Sequence, residues 1–388
     1  MLHKLSLPVQ LLITLGSVVI FGKLLPFTMV QILYTCSIII KECLGFLLPC
    51  MIYSFITHGI VSFQKNTPII IAILLLCVFA SNMLTPLLAY LVSTNMLTYM
   101  TPDIFTHHVN TAIHHIQPLY TISLPRLLSA EYAIILAVLT GMYVSYTQNK
   151  KIESVITSLK NFIESIITRF FIPILPLYIF GFLIELHYKG VFFDLFQSYG
   201  KTYALIIGLQ YFIIFILYFI ASQANLHTAF SYMKIALPSY ITAFGTMSST
   251  AAIPVTVTCA EKNTNNKPLA QIATPILANI HMTGDAVTVP VLAIVTLYLF
   301  QGTIPSITTF ISFIIYYSAT MLGASGIPGG AVIVMIPILK SILGFTDDMI
   351  SIMMTLHLLQ DGFGTGGNVM GDGALMIIIN KILKKLNI

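Results

Sequence analysis

Residues 358–372 read Leu-Leu-Gln-Asp-Gly-Phe-Gly-Thr-Gly-Gly-Asn-Val-Met-Gly-Asp, within a segment that is otherwise apolar enough to span a bilayer. Four polar side chains of this stretch recur at helical spacing, namely Asp361, Thr365, Asn368 and Asp372. At about 100° of rotation per residue they fall within roughly 60° of one another and form one polar stripe. An ionised Asp at the bilayer centre costs at least about 2.5–3.5 kcal/mol, so we expect the stripe to face a protein interior or cavity and to meet a cation there. The alternative is a helix–helix contact held by polar side chains and small glycines.

The composition is that of a polytopic membrane protein. Of the 388 residues, 57% are hydrophobic and 8% are charged, whereas ordinary soluble domains have about 25% charged residues. The net charge of +5 comes from a few loop lysines, and no cluster of basic residues is interleaved with aromatic ones, so nucleic-acid binding is not expected. The five cysteines lie in apolar stretches without metal-ligand spacing and are expected to be small buried residues.

Six apolar segments before residue 228 are long enough to span a bilayer, which takes about 20 residues. They run over roughly 5–25, 28–62, 67–98, 128–148, 155–186 and 202–224. The second and the fifth are long, which predicts tilted spans. With this arrangement most loop lysines fall on one side of the membrane, and the positive-inside rule makes that side, with both termini, cytoplasmic.

The stretch between the third and fourth segments carries prolines and two histidine pairs, His107-His108 and His114-His115. It predicts an external loop or an interrupted, partly re-entrant span. Neighbouring side chains point in different directions on a helix, so a metal site built from these pairs is not expected.

From residue 228 onward, turn-forming and small residues interrupt the apolar segments at membrane depth. The first interruption is residues 244–254, Phe-Gly-Thr-Met-Ser-Ser-Thr-Ala-Ala-Ile-Pro, and the second is residues 323–330, Gly-Ala-Ser-Gly-Ile-Pro-Gly-Gly. Irregular backbone is tolerated in a membrane only where it is buried or lines a cavity, so two such segments indicate a transporter binding site. A kinked helix would explain one such break better than two. Between them, residues 279–285 are polar in mid-span, and Gly284 can break the helix and expose carbonyl groups to a cation.

In this order the four motifs resemble the dicarboxylate/amino acid:cation symporter family, the glutamate-transporter-like carriers. Residues 242–256 resemble the family's serine-rich first hairpin tip, and residues 280–286 resemble its Asn-Met-Asp-Gly-Thr motif. Residues 325–330 resemble its second hairpin, and residues 361–372 resemble its closing Asp-x-x-Arg-Thr-x-x-Asn-Val-x-Gly-Asp signature. The match is specific over these motifs and rests on hydropathy alone in the N-terminal half.

The resemblance implies an all-α integral membrane protein with eight transmembrane helices, two re-entrant helical hairpins and a homotrimeric assembly. Residues 1–227 would form a region of six spans that is mostly scaffold, with the third and sixth spans joining the transport part. Residues 228–388 would form the transport core, with both hairpins and two further spans. This core would slide across the membrane as an elevator.

Carried over residue by residue, the resemblance assigns Asp361 to the α-ammonium group of the substrate. The other implied substrate-binding residues are Gly364, Thr365 and Asn368 on the same segment, Ser248, Ser249 and Thr250 at the first tip, and Gly326, Ile327 and Pro328 in the second hairpin. The first tip would hold the α-carboxylate, and the second hairpin would be the outer gate. Asp372 would be a sodium ligand. Its implied neighbours in the ion site are Gly284, Asn368 and Asp285.

Two departures from the family bear on the substrate. Gly364 stands where members with acidic substrates carry Arg, and Met247 stands at the other arginine location. A side-chain carboxylate of the substrate would lack its bidentate partner, and a buried unpaired charge costs several kcal/mol. A neutral amino acid is therefore favoured over glutamate or aspartate. Asp361, in turn, argues against a plain C4-dicarboxylate, which has no ammonium group.

Other departures bear on the coupling ion. Thr283 replaces a cation-ligating Asp of the family, and His281 replaces a neighbouring Asn. The family's third-span Thr-Ser ligands align with Cys77 and Val78. Sodium prefers hard oxygen ligands, whereas an imidazole can carry a proton near neutral pH, so His281 is either a proton carrier or a satisfied interior histidine. Asp285 adds a carboxylate two positions after Thr283, about 200° away on a regular helix.

These observations predict a secondary active symporter that imports a neutral amino acid on a sodium gradient and needs no cofactor. Proton coupling, or an acidic amino acid or dicarboxylate substrate on the same fold, is the alternative. A channel is disfavoured because four dissimilar motifs in one chain fit a closed site better than a symmetric pore. An intramembrane enzyme is disfavoured because Asp361 and Asp372 lie about 16 Å apart along a helix, too far to share a proton. The absence of large soluble domains favours a bacterial-type inner membrane.

Overall fold

The computed structural model describes residues 7–22, 24–62, 68–100, 116–122, 124–125, 130–166, 169–170, 172–188, 192–321 and 329–386. Seven helices of the described chain precede residue 226: α1 (Leu7–Phe21), α2 (Phe27–Ser62), α3 (Pro68–Met100), α4 (Ala130–Thr147), α5 (Lys150–Ile166), α6 (Ile172–Tyr188) and α7 (Phe192–Ala221). The other seven are α8 (Leu226–Thr246), α9 (Ser249–Thr264), α10 (Lys267–Ile280), α11 (Asp285–Gln301), α12 (Ile307–Met321), α13 (Gly330–Leu343) and α14 (Asp347–Lys385). The predicted all-helical fold is confirmed, since the described ranges contain helices and no strand.

The segment 155–186, predicted as one long span, contains parts of two helices. Helix α5 is amphipathic and packs against α2. It begins with exposed Lys150 and Lys151, and it buries Ile156 and Ile163 two turns apart. The apolar helix α6 starts only at its own Ile172. The prediction of a single span is wrong because average hydropathy does not distinguish an amphipathic surface helix from the start of a span, whereas the spacing of its apolar residues does.

By length and composition, three helical stretches of the described chain can cross a membrane, namely Ala72–Leu97, Tyr199–Ala221 and Lys267–Gln301. The third comprises α10 and α11 on both sides of a short break. Shorter apolar helices are Phe27–Ile40, Ile135–Thr147, Pro176–Glu185, Ile307–Met321 and Gly330–Leu343. These apolar helices agree with the high hydrophobic content of the sequence. The histidine pairs His107-His108 and His114-His115 lie outside the described residues.

Helices α8 and α9 form the first helical hairpin and pack against each other. Only Met247 and Ser248 join them. Met247 takes the left-handed conformation with φ 50°, and the Ser248 hydroxyl caps α9 by accepting the N–H of Ala251 at 3.3 Å. The chain therefore reverses inside the interruption predicted at 244–254. Pro254 does not break the chain there, because it lies in the second turn of α9.

Helices α12 and α13 also pack against each other, and the predicted second tip lies between them. Residues 322–328, which include most of that tip, lie outside the described residues. Gly329, which directly precedes α13, has φ +68°, a backbone conformation that glycine adopts without steric cost.

Helix α14 is the axis of the C-terminal half. It is continuous over 39 residues and packs against α7, α8, α9, α10 and α11. Helix α10 ends at Ile280 and α11 begins at Asp285, so residues 281–284 form a helix break beside α14. This break and the polar stripe of α14 together position the candidate site.

Candidate functional site

The polar stripe of α14 faces the protein interior. Its four members are at most 5% exposed: Asp361, Thr365, Asn368 and Asp372. Their partners come from the helix break, from the start of α11 and from Gly329 directly before α13. The continuous helix thus places four polar side chains over about three turns along one buried face.

The side chain of Asn368 satisfies the start of α11. Its Oδ1 accepts the backbone N–H of Gly284 at 2.7 Å and that of Asp285 at 3.2 Å. Its Nδ2 donates to Oδ2 of Asp285 at 2.7 Å. The first N–H groups of a helix have no partner within that helix, and in a membrane an unpaired one is costly. The side-chain oxygen of Asn368 therefore accepts two of these otherwise unpaired N–H groups.

At Gly284 the two backbones touch. A Cβ at this position would overlap the carbonyl oxygen of Gly364 on α14. The Gly284 carbonyl accepts hydrogen bonds from the Gln210 amide at 3.2 Å and from the Thr288 hydroxyl at 3.1 Å. The sequence predicts that this carbonyl group faces a cation, but in the structure it faces Gln210 of α7 and Thr288. A role for Gly284 as a sodium ligand stays a prediction.

The imidazole of His281 lies at the centre of a buried cluster. Its Nδ1 is 2.9 Å from Oδ1 of Asp372. Its Nε2 is 2.9 Å from the hydroxyl of Ser81 and 2.9 Å from that of Thr283. Both ring nitrogens therefore have partners, and the ring links α3, the helix break and α14. Its predicted role as a proton carrier stays a prediction.

Helix α3 contacts this cluster at Ser81, about one turn after Cys77 and Val78, which the family resemblance aligns with cation ligands. Cys77 and Val78 pack with apolar residues of α10 and α14. Ser81 contacts the imidazole instead, and Asn82 donates from Nδ2 to the carbonyl of Ile280 at 3.0 Å. The alignment of Cys77 and Val78 with cation ligands stays a prediction, and among the described residues Ser81 is the residue of α3 that contacts His281.

A second cluster on the other side of the break contains Asp285, His357 and Asp361. Each offers one ligand atom, and these atoms lie within 4.8 Å of one another, close enough to hold a metal ion. The Nε2 of His357 is 2.8 Å from Oδ1 of Asp285, so the imidazole and this carboxylate already form a hydrogen-bonded pair. Asp285 thus joins His357 rather than Thr283 and Asp372, because the non-helical backbone at 281–284 turns the two side chains toward different networks.

His357 is a site residue that sequence reasoning missed. It precedes Asp361 by four positions, one helical turn, and so extends the polar stripe toward the start of α14. Continuing the helical count in that direction would have found it. Gln210 and Ser81 carry a weaker signal, because each is one of several polar residues in its helix and no spacing marks it out.

Asp361 connects α14 with the second hairpin. Its Oδ2 accepts the backbone N–H of Gly329 at 2.8 Å, and its Oδ1 accepts the hydroxyl of Thr365 at 3.4 Å. The partial positive charge at the N-terminus of α13 favours a carboxylate at this position. The predicted gate residues Gly326, Ile327 and Pro328 lie outside the described residues.

The first hairpin tip also lies against α14. Phe244 packs edge-to-face on Phe363, with ring centroids 5.0 Å apart, and an apolar cluster joins α8, α9 and α14. The hydroxyls of Ser248 and Thr250 are 2.9 Å apart at the start of α9, and Ser249 is buried. The three predicted tip residues are therefore at a helix N-terminus beside the stripe-bearing helix.

Broken helices whose ends converge on a buried polar stripe are the architecture of a secondary membrane transporter. The sequence comparison agrees with this class. The chain belongs to the sodium:dicarboxylate symporter family, whose sequence model matches residues 7–382. The predicted resemblance is thereby confirmed, and so are the integral membrane class and the expectation of a transporter rather than an enzyme.

Two curated relatives are similar to part of this chain. The serine/threonine transporter SstT of Acinetobacter baumannii is 29% identical over 205 residues, which are 51% of this chain and 50% of that protein. Excitatory amino acid transporter 3 of Mus musculus is 31% identical over 171 residues, which are 44% of this chain and 32% of that protein. The chain thus spans about half or less of the length of these relatives.

Replacing Gly284 with alanine should destabilise the protein, because the new methyl group would overlap a backbone oxygen that cannot rotate away. We expect the melting temperature in detergent to fall by at least about 3 °C. Gly364→Ala is the matched variant across the same contact, and its Cβ would meet the Asp285 side chain at 3.3 Å, so a smaller effect is expected. Gly245→Ala is the control, since nothing lies within 4 Å of its Cβ. Equal melting temperatures for Gly284→Ala and Gly245→Ala would contradict the backbone contact.

Proposed function

We propose that this protein is a secondary active symporter that imports a neutral amino acid together with sodium by an elevator type of alternating access. The observation that carries the proposal is a convergence on one buried face of α14. The helix break at 281–284 meets that face at Asn368, and the end of the second hairpin meets it at Asp361. A closed site of this kind fits a carrier better than an open pore.

Asp361 is proposed to bind the α-ammonium group of the substrate. Its carboxylate accepts one hydrogen bond at each oxygen, from Gly329 and from Thr365, and each oxygen keeps a further lone pair for an ammonium proton. Thr365 and Asn368 would add polar contacts. Both relatives are named as amino acid transporters, which supports a substrate with an ammonium group.

The first hairpin tip is proposed to hold the substrate's α-carboxylate. Ser248, Ser249 and Thr250 stand at the start of α9, where the backbone N–H groups of a helix N-terminus and the helix dipole favour an anion. The second hairpin, with Gly326, Ile327 and Pro328, would close the site from outside. In this arrangement the hydrogen bond from the Gly329 N–H to the Asp361 carboxylate would form when the gate is closed.

A neutral substrate is proposed because the described residues of the site include no arginine that could pair with an acidic side chain. The chain has two arginines, Arg126 and Arg169, and both precede α6. Gly364 stands at the family's arginine position on α14, and Met247 is buried at the first tip. An acidic amino acid or a dicarboxylate is the alternative substrate, because the family is named for dicarboxylate symport.

Sodium is proposed as the coupling ion because the chain belongs to a sodium symporter family. Asp372 would be the charged ligand, since its Oδ2 has no hydrogen-bond partner among the described residues. Gly284 and Asn368 are the further ligands that the family resemblance implies. Asp285, which the resemblance also places there, pairs with His357 on the other side of the break. The alternative is a proton carried by His281, whose contact with Oδ1 of Asp372 supports it.

The proposal extends to the assembly. Eight spans and two re-entrant hairpins would be arranged in a homotrimer, with residues 1–227 mostly as scaffold and residues 228–388 as the moving core. Contacts of α3 and α7 with the helix break support their place in the moving part. A bacterial-type inner membrane and cytoplasmic termini stay predictions.

Asp361→Asn should abolish amino acid uptake, because the variant offers no negative charge to the ammonium group. The measurement is uptake of a radiolabelled amino acid panel into proteoliposomes of purified protein, with sodium and proton gradients imposed separately. Asp348→Asn is the matched control, since Asp348 is exposed in the first turn of the same helix. Full uptake by Asp361→Asn would refute the assigned role, and uptake of glutamate or aspartate alone by the unchanged protein would refute the neutral substrate.

Variants of the ion cluster separate the two coupling ions. If sodium is coupled, Asp372→Asn should raise the sodium concentration for half-maximal uptake by at least about tenfold, the effect of about 1.4 kcal/mol of binding. If the proton is coupled, His281→Asn should remove uptake driven by a proton gradient. His227→Asn is the control because His227 is exposed. An unchanged sodium dependence in Asp372→Asn would mean that another residue is the charged ligand.

A further inference from the structure

Lysines stand at the ends of three helices in the C-terminal half. Lys262 is in the last turn of α9, Lys267 is the first residue of α10, and Lys381, Lys384 and Lys385 belong to the last turns of α14. Lys381 is half-buried, and the other four are exposed. A cation in the last turn of a single helix is ordinary, because it complements the helix dipole. The fold, however, brings these three helix ends together.

Two asparagines join the three helix ends. Asn266, the residue before α10, donates from Nδ2 to Oδ1 of Asn380 on α14 at 3.0 Å. Asn380 donates in turn from its own Nδ2 to the carbonyl of Thr264, the last residue of α9, at 3.0 Å. Every one of the lysines lies within five positions of a residue in these contacts. They form one basic surface, the lysine patch, which consists of Lys262, Lys267, Lys381, Lys384 and Lys385.

Little negative charge balances the lysine patch. Glu261 is the acidic residue nearest to it in the chain, and its Oε1 accepts a hydrogen bond from the side-chain amide of Gln271 at 3.3 Å. No lysine of the patch forms an ion pair with a described carboxylate. Asp347 and Asp348 begin α14 at its opposite end. An excess of positive charge on one surface favours an anionic partner.

The lysine patch lies where a membrane boundary is expected. The apolar stretch that comprises α10 and α11, and that can cross a membrane, begins at Lys267. The contact between Asn266 and Asn380 puts the end of α14 at the same level, and α14 continues from there to Lys385. Lysines at the end of a span reach the headgroup region, where the phosphate groups of lipids lie. The predicted orientation makes this the cytoplasmic side, whose leaflet carries anionic lipids.

We propose that the lysine patch binds the phosphate group of an anionic lipid, such as phosphatidylglycerol, and that the lipid ties together the ends of α9, α10 and α14. The N-terminus of α10 lies in the patch, and its partial positive charge favours a phosphate as well. A nucleic acid fits less well, because no aromatic side chain is interleaved with these lysines and the patch adjoins apolar helices. The inference does not depend on the proposed substrate or coupling ion.

The binding test uses the purified full-length chain in a neutral detergent at low ionic strength. Dioctanoyl phosphatidylglycerol should raise the melting temperature by at least about 3 °C, because a ligand of the folded state stabilises it. Dioctanoyl phosphatidylcholine, whose headgroup has no net charge, should leave it unchanged. Inorganic phosphate at the same concentration distinguishes a free anion from a lipid headgroup. An equal rise with inorganic phosphate would overturn the lipid assignment, and no rise with phosphatidylglycerol would overturn the inference.

Two matched double variants assign the binding to the lysine patch. Lys384→Gln combined with Lys385→Gln removes two charges from exposed side chains, so the fold should tolerate it. We expect the half-saturating concentration of phosphatidylglycerol to rise at least about tenfold, since each lysine near anionic headgroups contributes about a factor of five. Lys150→Gln combined with Lys151→Gln removes the same charge from the exposed start of α5 and is the control. An equal rise in both double variants would show that net charge alone attracts the lipid, and would refute the patch.

Two further measurements test the chemistry of the contact. Lys267→Gln should weaken phosphatidylglycerol binding at least about threefold, because α10 shares the headgroup with α14 in the proposed arrangement. Potassium chloride at about 0.5 M should reduce the rise in melting temperature, because it screens charges beyond about 4 Å. Binding that survives both changes would mean that the acyl chains rather than the headgroup are recognised, which would contradict the inference.

Discussion

A helix that stops inside a membrane exposes backbone N–H and carbonyl groups that lipid cannot satisfy. In this protein the side chains of three other helices meet that demand at residues 281–284. Asn368 of α14 accepts two N–H groups at the start of α11, and Gln210 of α7 donates to the carbonyl of Gly284. Asn82 of α3 donates to the last carbonyl of α10. The break is therefore stabilised by α3, α7 and α14, and the contacts of His281 and Asn368 depend on that arrangement.

The break also divides the polar groups into two networks. Thr283 turns toward His281 and the Asp372 carboxylate, whereas Asp285, only two residues later, turns toward His357. In the proposed function the first network holds the ion through Asp372, and the second lies beside the substrate through Asp361. The helix break at 281–284 is the segment of the chain that joins the two networks.

The sequence predicts a structural feature well where a residue pattern implies a defined geometry, such as helical spacing or a turn. It predicts poorly where no such pattern exists. The stripe on α14 and the reversal at Met247 follow from helical spacing and from turn-forming residues, and both are in the structure. Register within apolar α3 has no such marker: the family resemblance points to Cys77 and Val78, whereas the residue of α3 that contacts His281 is Ser81, one turn later. The pairing of Asp285 with His357 was out of reach as well, because it depends on the direction in which a broken backbone leaves the break.

The contact between Ser81 and His281 joins residues 200 positions apart in the chain. During biosynthesis at about 5–20 residues per second, roughly 10–40 s pass between the two residues. Helix α3 therefore enters the membrane long before the partners of Ser81 and Asn82 have been made. Its apolar flanks have to keep two unpaired polar side chains in the bilayer during that interval. The amino acid composition of α3 is thus constrained by membrane insertion as well as by the finished site.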